Sequence, residues 1–401
     1  MSDFPFGFTP NPAGDGAQNP MDLSNLGAML QQLGAMMQRA QQVPAGETDW
    51  ETVRSAARAF IAQEPDPSPV DAQRERVRAA ADLAALWLNA ATEFPAPAQT
   101  ASAWSRAEWL EATFEAWKPI VAPIAASMAA SVQASAMAQP ESLPEEMRAM
   151  IAPMLQMATQ MSSMMAAQQI GTGLGSLARE VWGAADIGIP LTTDGAVALV
   201  VHNVEAFAAG HELSARDVET YLAVREAAAQ RLFHAATWLR PRLHDAIAEY
   251  ARGVGVDTNR LRELMADVDA RDPQALMSAL QGGNVELPLT PGQTAAVARV
   301  ELLLALIEGW VDTVTEAAVA GRIGAAGALQ EALRRRRAAG GPAERMFAQL
   351  IGLELRPRLL REAAAYWAAL PATERDAKWA HPDFLPSRDE LGSPPTQPFG
   401  E

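Results

Sequence analysis

Histidine and cysteine limit the chemistry open to this chain more than any other residue types. The chain has 401 residues, five histidines and no cysteine. Lacking cysteine, it has no disulfides, thiolate nucleophiles, Cys-ligated zinc or iron–sulfur clusters. Any imidazole must come from His202, His211, His234, His244 or His381. Zinc hydrolysis on a helix needs two histidines four residues apart, so that both imidazoles reach one metal, with a glutamate beside the first to activate bound water. Successive histidines here are 9, 23, 10 and 137 positions apart, so that pair is absent. The segment His211-Glu212-Leu213-Ser214-Ala215 begins like such a motif but ends on alanine, and reads better as a helix-entry loop. No G-x-S-x-G elbow or G-x-x-x-x-G-K-[ST] loop occurs. Gly171, Gly173 and Gly175 meet no G-x-G-x-x-G register and follow no strand, so close helix packing explains them.

Charge narrows the partners. Thirty-two Lys and Arg against 48 Asp and Glu leave a net charge of −16, which disfavours nucleic acid and anionic membrane surfaces. The most basic stretch, Arg334-Arg335-Arg336-Arg337 followed by Arg345, Arg356, Arg358 and Arg361, is interleaved with Glu331, Glu344, Glu354 and Glu362. At helical spacing it reads as a solvated, salt-bridged face. The uncharged run 149–178 is long enough to span a bilayer, but its glutamines, serines, proline and glycines make a membrane span costly. The opening Met-Ser-Asp-Phe-Pro lacks the basic and apolar regions of a secretory signal, so the expected compartment is the cytoplasm.

The elements that must position any site are mostly helices. Residues 1–47 read as a Pro- and Gly-rich tail followed by an amphipathic helix over 22–39, with Leu23, Leu26, Met29, Leu30, Leu33, Met36 and Met37 on one face. A main helical domain is predicted over 48–386, followed by an irregular tail over 387–401. Ser105 and Glu108 form a capping box ahead of Trp109, Leu110, Phe114 and Trp117, which places a helix start near Ser105 and those aromatics in the core. A methionine stripe at Met147, Met150, Met154, Met157, Met161, Met164 and Met165 is read as a buried face. The β-rich runs 187–190 and 196–201 flank Thr192-Thr193-Asp194-Gly195 and predict a small hairpin or short sheet.

The helix Tyr221-Leu222-Ala223-Val224-Arg225-Glu226-Ala227-Ala228-Ala229-Gln230-Arg231-Leu232-Phe233 carries a resemblance. With Pro5-Phe6-Gly7-Phe8, Trp104-Ser105-Arg106-Ala107-Glu108-Trp109, Asp186-Ile187-Gly188-Ile189-Pro190, Glu308-Gly309-Trp310-Val311-Asp312 and Trp379-Ala380-His381-Pro382-Asp383, it is similar to bacterial zincin-like metallopeptidases. The resemblance implies a mainly α, multi-helix zincin-like body with that small sheet. In members with a full His-Glu-x-x-His motif, the first histidine falls on Arg225, the glutamate on Glu226 and the second histidine on Ala229. Glu226 then remains as a vestigial general base. Glu308, with Asp312 one turn on, corresponds to a third ligand if zinc is bound.

Alanine has no donor atom, and arginine keeps its proton and so offers no lone pair. The expectation is therefore no cofactor, with the Arg225 guanidinium near Glu226 or Glu308 partly replacing the metal's charge. If Arg225 and Glu226 are instead exposed helix residues, they share no role. Three functions follow from these readings. One is a pseudo-enzyme that binds peptide, protein or a small ligand in the old cleft. Another is an active zinc hydrolase that recruits His234 or His244 beside Glu226 and Glu308. The third is a scaffold whose Met-rich and N-terminal helices bind partner helices.

Overall fold

The computed structural model describes residues 47–97, 100–137, 145–211, 213–252, 289–341, 345 and 357–392. The chain divides into two units, Met1–Pro44 and Ala45–Glu401. The first, with the predicted helix over 22–39, lies outside the described residues. In the second, α1 (Trp50–Ile61) and α2 (Asp71–Leu88) precede strand β1 (Ala101–Trp104) and the long helices α3 (Arg106–Met137) and α4 (Glu145–Ala178). Strand β2 (Val197–Val200) then leads into α5 (Val201–Gly210), α6 (Ala215–Ala235) and α7 (Leu239–Arg252). The remaining helices are α8 (Pro291–Val319), α9 (Ala326–Ala338), α10 (Pro357–Ala368), α11 (Ala372–Ala377) and α12 (Arg388–Leu391). The fold is thus mainly α with one small sheet, as expected.

Local sequence explains the helix starts nearest the site. Helix α6 begins at Ser214, whose hydroxyl accepts from the Asp217 N–H, so the half-motif at His211 does lead into a helix. Helix α8 opens with a reciprocal box: Gln293 N–H donates to Thr290 Oγ1 at 3.2 Å, and Thr290 N–H donates to Gln293 Oε1 at 2.9 Å. The Ser105–Glu108 box forms as read, at 3.1 and 2.7 Å, and Trp109, Leu110, Phe114 and Trp117 are buried. Helix α6 lies at the centre, packed by α2 on one side and by α8 on another. Every residue over 218–233 is buried, so this helix has no solvent face.

Four expectations are corrected. The sheet is parallel, pairing Ala101 with Val197 through Trp104 with Val200, and so is not a hairpin. The run 187–190 forms no strand. Gly188 at φ +79° turns it back, with Gly188 N–H donating to Ala185 O and Leu191 N–H to Ala184 O. In the described part of the methionine stripe, Met161 and Met165 are exposed, because α4 turns the face carrying Ala167, Ile170 and Leu174 toward the core. The residues from Ser387 begin not as irregular chain but as the capped turn α12, anchored by buried Leu391. The glycine reading holds at Gly171 and Gly175, where an added Cβ would lie 2.3 Å from Val53 O and 2.8 Å from Phe60 Cβ, but Gly173 meets nothing within 4 Å.

Gly183 shows how tightly the segment before β2 is held to α6. A Cβ there would lie 2.6 Å from both Ala198 O and a Glu226 carboxylate oxygen. Gly183→Ala should therefore lower the urea midpoint by the equivalent of about 2 kcal/mol with the slope unchanged. An unchanged midpoint would show that this contact can relax.

Candidate functional site

A helix buried on all sides must find partners for each of its polar side chains. Along α6 these include Glu219, Arg225, Glu226, Gln230 and Arg231. Glu219 is held by Arg76, whose Nε and Nη2 donate to it at 2.9–3.1 Å. The residues of interest follow one and a half turns later, where α6 faces α8, the start of the 182–190 segment and the C-terminal turn of α9.

Arg225 reaches across to α8. Its Nη2 donates to Glu308 Oε2 at 2.9 Å, and its Nη1 donates to Asp312 Oδ1. Arg337, from α9, donates to the same Glu308 oxygen and lies 3.4 Å from both Asp312 oxygens. Two guanidiniums and two carboxylates thus form a closed quartet with no formal net charge. Arg225 and Arg337 retain only 10% and 17% side-chain exposure. Burial opposes the charge on Arg225, but Asp312 and Glu308 outweigh it and hold the guanidinium above its ordinary value. The two carboxylates respond differently. Burial pushes Glu308 up against the opposing pull of Arg337 and Arg225, whereas at Asp312 the two arginines overcome burial and hold it below its ordinary value.

Glu226 does not pair with Arg225, in contrast to one of the two predicted arrangements. Its Oε2 accepts from Ala185 N–H at 2.9 Å and its Oε1 from Gln230 Nε2 at 3.1 Å, while Gln230 also donates to Thr192 Oγ1 at 3.2 Å. Burial pushes its carboxyl up to about 8 against these hydrogen bonds. Ala229 presents only its methyl group to the cleft it shares with Arg225, Glu226, Glu308 and Arg337. That cleft measures about 30 Å³, room for about one water.

The sequence reading placed Arg336 and Arg337 on a solvated face, and here it needs correction. Arg335 does pair with Glu331 at 3.0 Å, and Arg334 lies 3.7 Å from Glu316. Arg336 and Arg337 turn inward. Arg336 lies 3.5 Å over the Trp182 ring, donates to Glu180 O at 2.6 Å and pairs with Asp186 at 3.2 Å. Consecutive helix positions differ by about 100° in direction, so a four-arginine run must cover more than one face. That turn of direction was the available signal for Arg337. His234 is exposed at the end of α6, and neither it nor His244 lines the cleft. His211 Nδ1–H donates locally to Phe207 O at 3.0 Å.

A sequence model of zincin-like metallopeptidases matches residues 48–396. The chain belongs to the zincin-like metallopeptidase family. It is also similar in fold to a "putative hydrolase with a novel fold" from Chloroflexus aurantiacus, known from a crystal structure. The TM-score is 0.58 and the identity 22%, over 86% of this chain and 96% of that one. No curated protein matches the chain. The family implies a zinc ion, and the side chains gathered around Arg225 do not fit one. Arg225 brings a charge and Ala229 a methyl group, while Glu308 and Asp312 of α8 already accept from guanidiniums. Among the described residues, no group of three His, Asp or Glu side chains could hold a metal ion.

Two outcomes follow. Arg225→Met leaves Asp312 and Glu308 short of one buried counter-charge and should cost about 3–5 kcal/mol in urea unfolding; a loss within about 0.5 kcal/mol would mean the quartet contributes nothing. The second concerns pH. Because the Glu226 carboxyl rises from 4.5 to about 8 on folding, the folded chain binds the extra proton between those values. Its contribution to stability is complete below 4.5 and is lost by about pH 8, a change on the order of 5 kcal/mol. Glu226→Gln should flatten that descent in unfolding curves taken from pH 5 to 9, and an unaltered slope would assign it to other groups.

Proposed function

We propose that this family member works by binding and without zinc-dependent peptidase chemistry. The observation that carries this reading is the Arg225–Glu308–Asp312–Arg337 quartet. On this reading, the positions of Arg225, Ala229 and Glu308 are those at which family members with a full motif carry ligands for a divalent ion. The two guanidiniums supply positive charge against Glu308 and Asp312 but offer no lone pair and no Lewis-acidic site. Glu226 would serve there as a relic of the general base. Its bonds to Ala185 and Gln230 suit it to fastening the 182–190 segment to α6.

The cleft at the quartet has space for about one water, so a ligand is better accommodated elsewhere on the body. The ligand class proposed is a peptide, a protein or a small molecule. Among the described residues, no helix is long and apolar enough to cross a membrane.

Metal analysis of the purified full chain, with parallel unfolding curves in chelator, tests the reading. We expect zinc well below one ion per chain and a melting temperature indifferent to chelator. Stoichiometric zinc that disappears in Glu308→Ala would overturn it in favour of the hydrolase.

A further inference from the structure

The opposite flank of α6 carries a guanidinium whose partners are all neutral. Arg231 is 2% exposed. Its Nη1 donates to Phe94 O at 3.1 Å, and its Nη2 donates to Ala85 O and Asn89 Oδ1, both at 2.8 Å. A guanidinium has five N–H groups, so two of them, on Nε and Nη1, find no acceptor among the described residues. Carbonyl dipoles satisfy some of its hydrogen bonds but leave its charge uncompensated, and a buried charge without a counter-ion is costly. Burial accordingly holds Arg231 below its ordinary value. Arg225, six residues earlier on the same helix, has its carboxylates. Arg231 does not.

The same residue lines a cavity of about 340 Å³, more than ten times the space at the quartet and within the range of small-molecule pockets. Pro97, Val197 and Ala227 give it apolar walls, and Thr100 and Gln230 add polar atoms. Two further charges lie on its lining. Arg78 is largely solvent-exposed and tied to Glu75, so it adds little net charge. Asp82, also exposed, repels a doubly charged phosphate more than a singly charged carboxylate.

We propose that this cavity binds a small monocarboxylate, its carboxylate on the Arg231 guanidinium and its apolar body along Pro97, Val197 and Ala227. Both Nη2 hydrogens are spent on Ala85 and Asn89, and every parallel pair of guanidinium donors includes one of them, so the carboxylate accepts one charge-assisted hydrogen bond from a leftover N–H on Nε or Nη1. Gln230 belongs to both flanks of α6, lining this cavity while donating to Glu226. The inference gives the binding role proposed above a site and a ligand class. Zinc content bears on that reading alone, and the following titration bears on this one.

Calorimetric titration of the full chain with hexanoate, with its neutral counterpart hexanamide and with inorganic phosphate tests it. The expected result is saturable one-to-one binding of hexanoate, none of hexanamide, and a loss of at least about tenfold in Arg231→Gln. Because Arg231 also holds three acceptors, Ala227→Leu provides a second variant that fills the cavity and leaves the guanidinium in place; it too should weaken hexanoate about tenfold. The proposal is overturned if hexanoate shows no saturation up to about 10 mM, or if hexanamide binds equally. It also fails if Ala227→Leu leaves affinity unchanged, or if phosphate displaces hexanoate at equal concentration.

Discussion

The governing constraint is the burial of charge along a helix with no solvent face. Helix α6 is enclosed by neighbours over 218–233, yet carries two arginines, two glutamates and a glutamine in that span. Each charge must be neutralised, protonated or hydrogen-bonded, since a bare ion in such surroundings costs several kcal/mol. The surrounding elements supply those partners: Arg76 from α2 for Glu219, the Ala185 amide for Glu226, and two carboxylates from α8 for Arg225. The positions of α8, α9 and the 182–190 segment relative to α6 are set as much by this pairing as by apolar contact.

The quartet differs in kind from a metal centre. A divalent ion between carboxylates and imidazoles has directional bonds to lone pairs and leaves an open position for water. Two guanidiniums satisfy the same carboxylates through N–H donors alone and close the space between them, leaving room for about one water. The acidic pair on α8 is thus held by guanidiniums in this chain. Arg337 matters as much as Arg225, because a single guanidinium would leave one of two adjacent buried carboxylates without full compensation.

Much of this was legible in the sequence. The helical body, the Ser105 capping box and the aromatic core follow from spacing and cap chemistry, which act within a few residues. The pairing of Arg225 with Glu308 was one of the two arrangements expected, the other being with Glu226, because the resemblance left a cation beside acidic residues. What escaped notice depended on contacts distant in the chain. The four residues of β1 are too short to show a period, and their partner lies nearly a hundred positions away. Arg337 looked like part of a charged surface run, and only the rotation of α9 brings it against α8. Met161 and Met165 share a helical period with a core face but lie on the other side of α4, where composition alone gives no guide.

The account's central claim is that guanidinium groups stand where a metal would be held, and crystals grown with zinc in the drop test it most directly. Anomalous difference maps collected at the zinc edge should show no peak among Arg225, Glu226, Glu308 and Asp312, with both guanidiniums in density against the α8 carboxylates. A strong peak bonded to Glu308 in tetrahedral geometry, with Arg225 swung away, would contradict it.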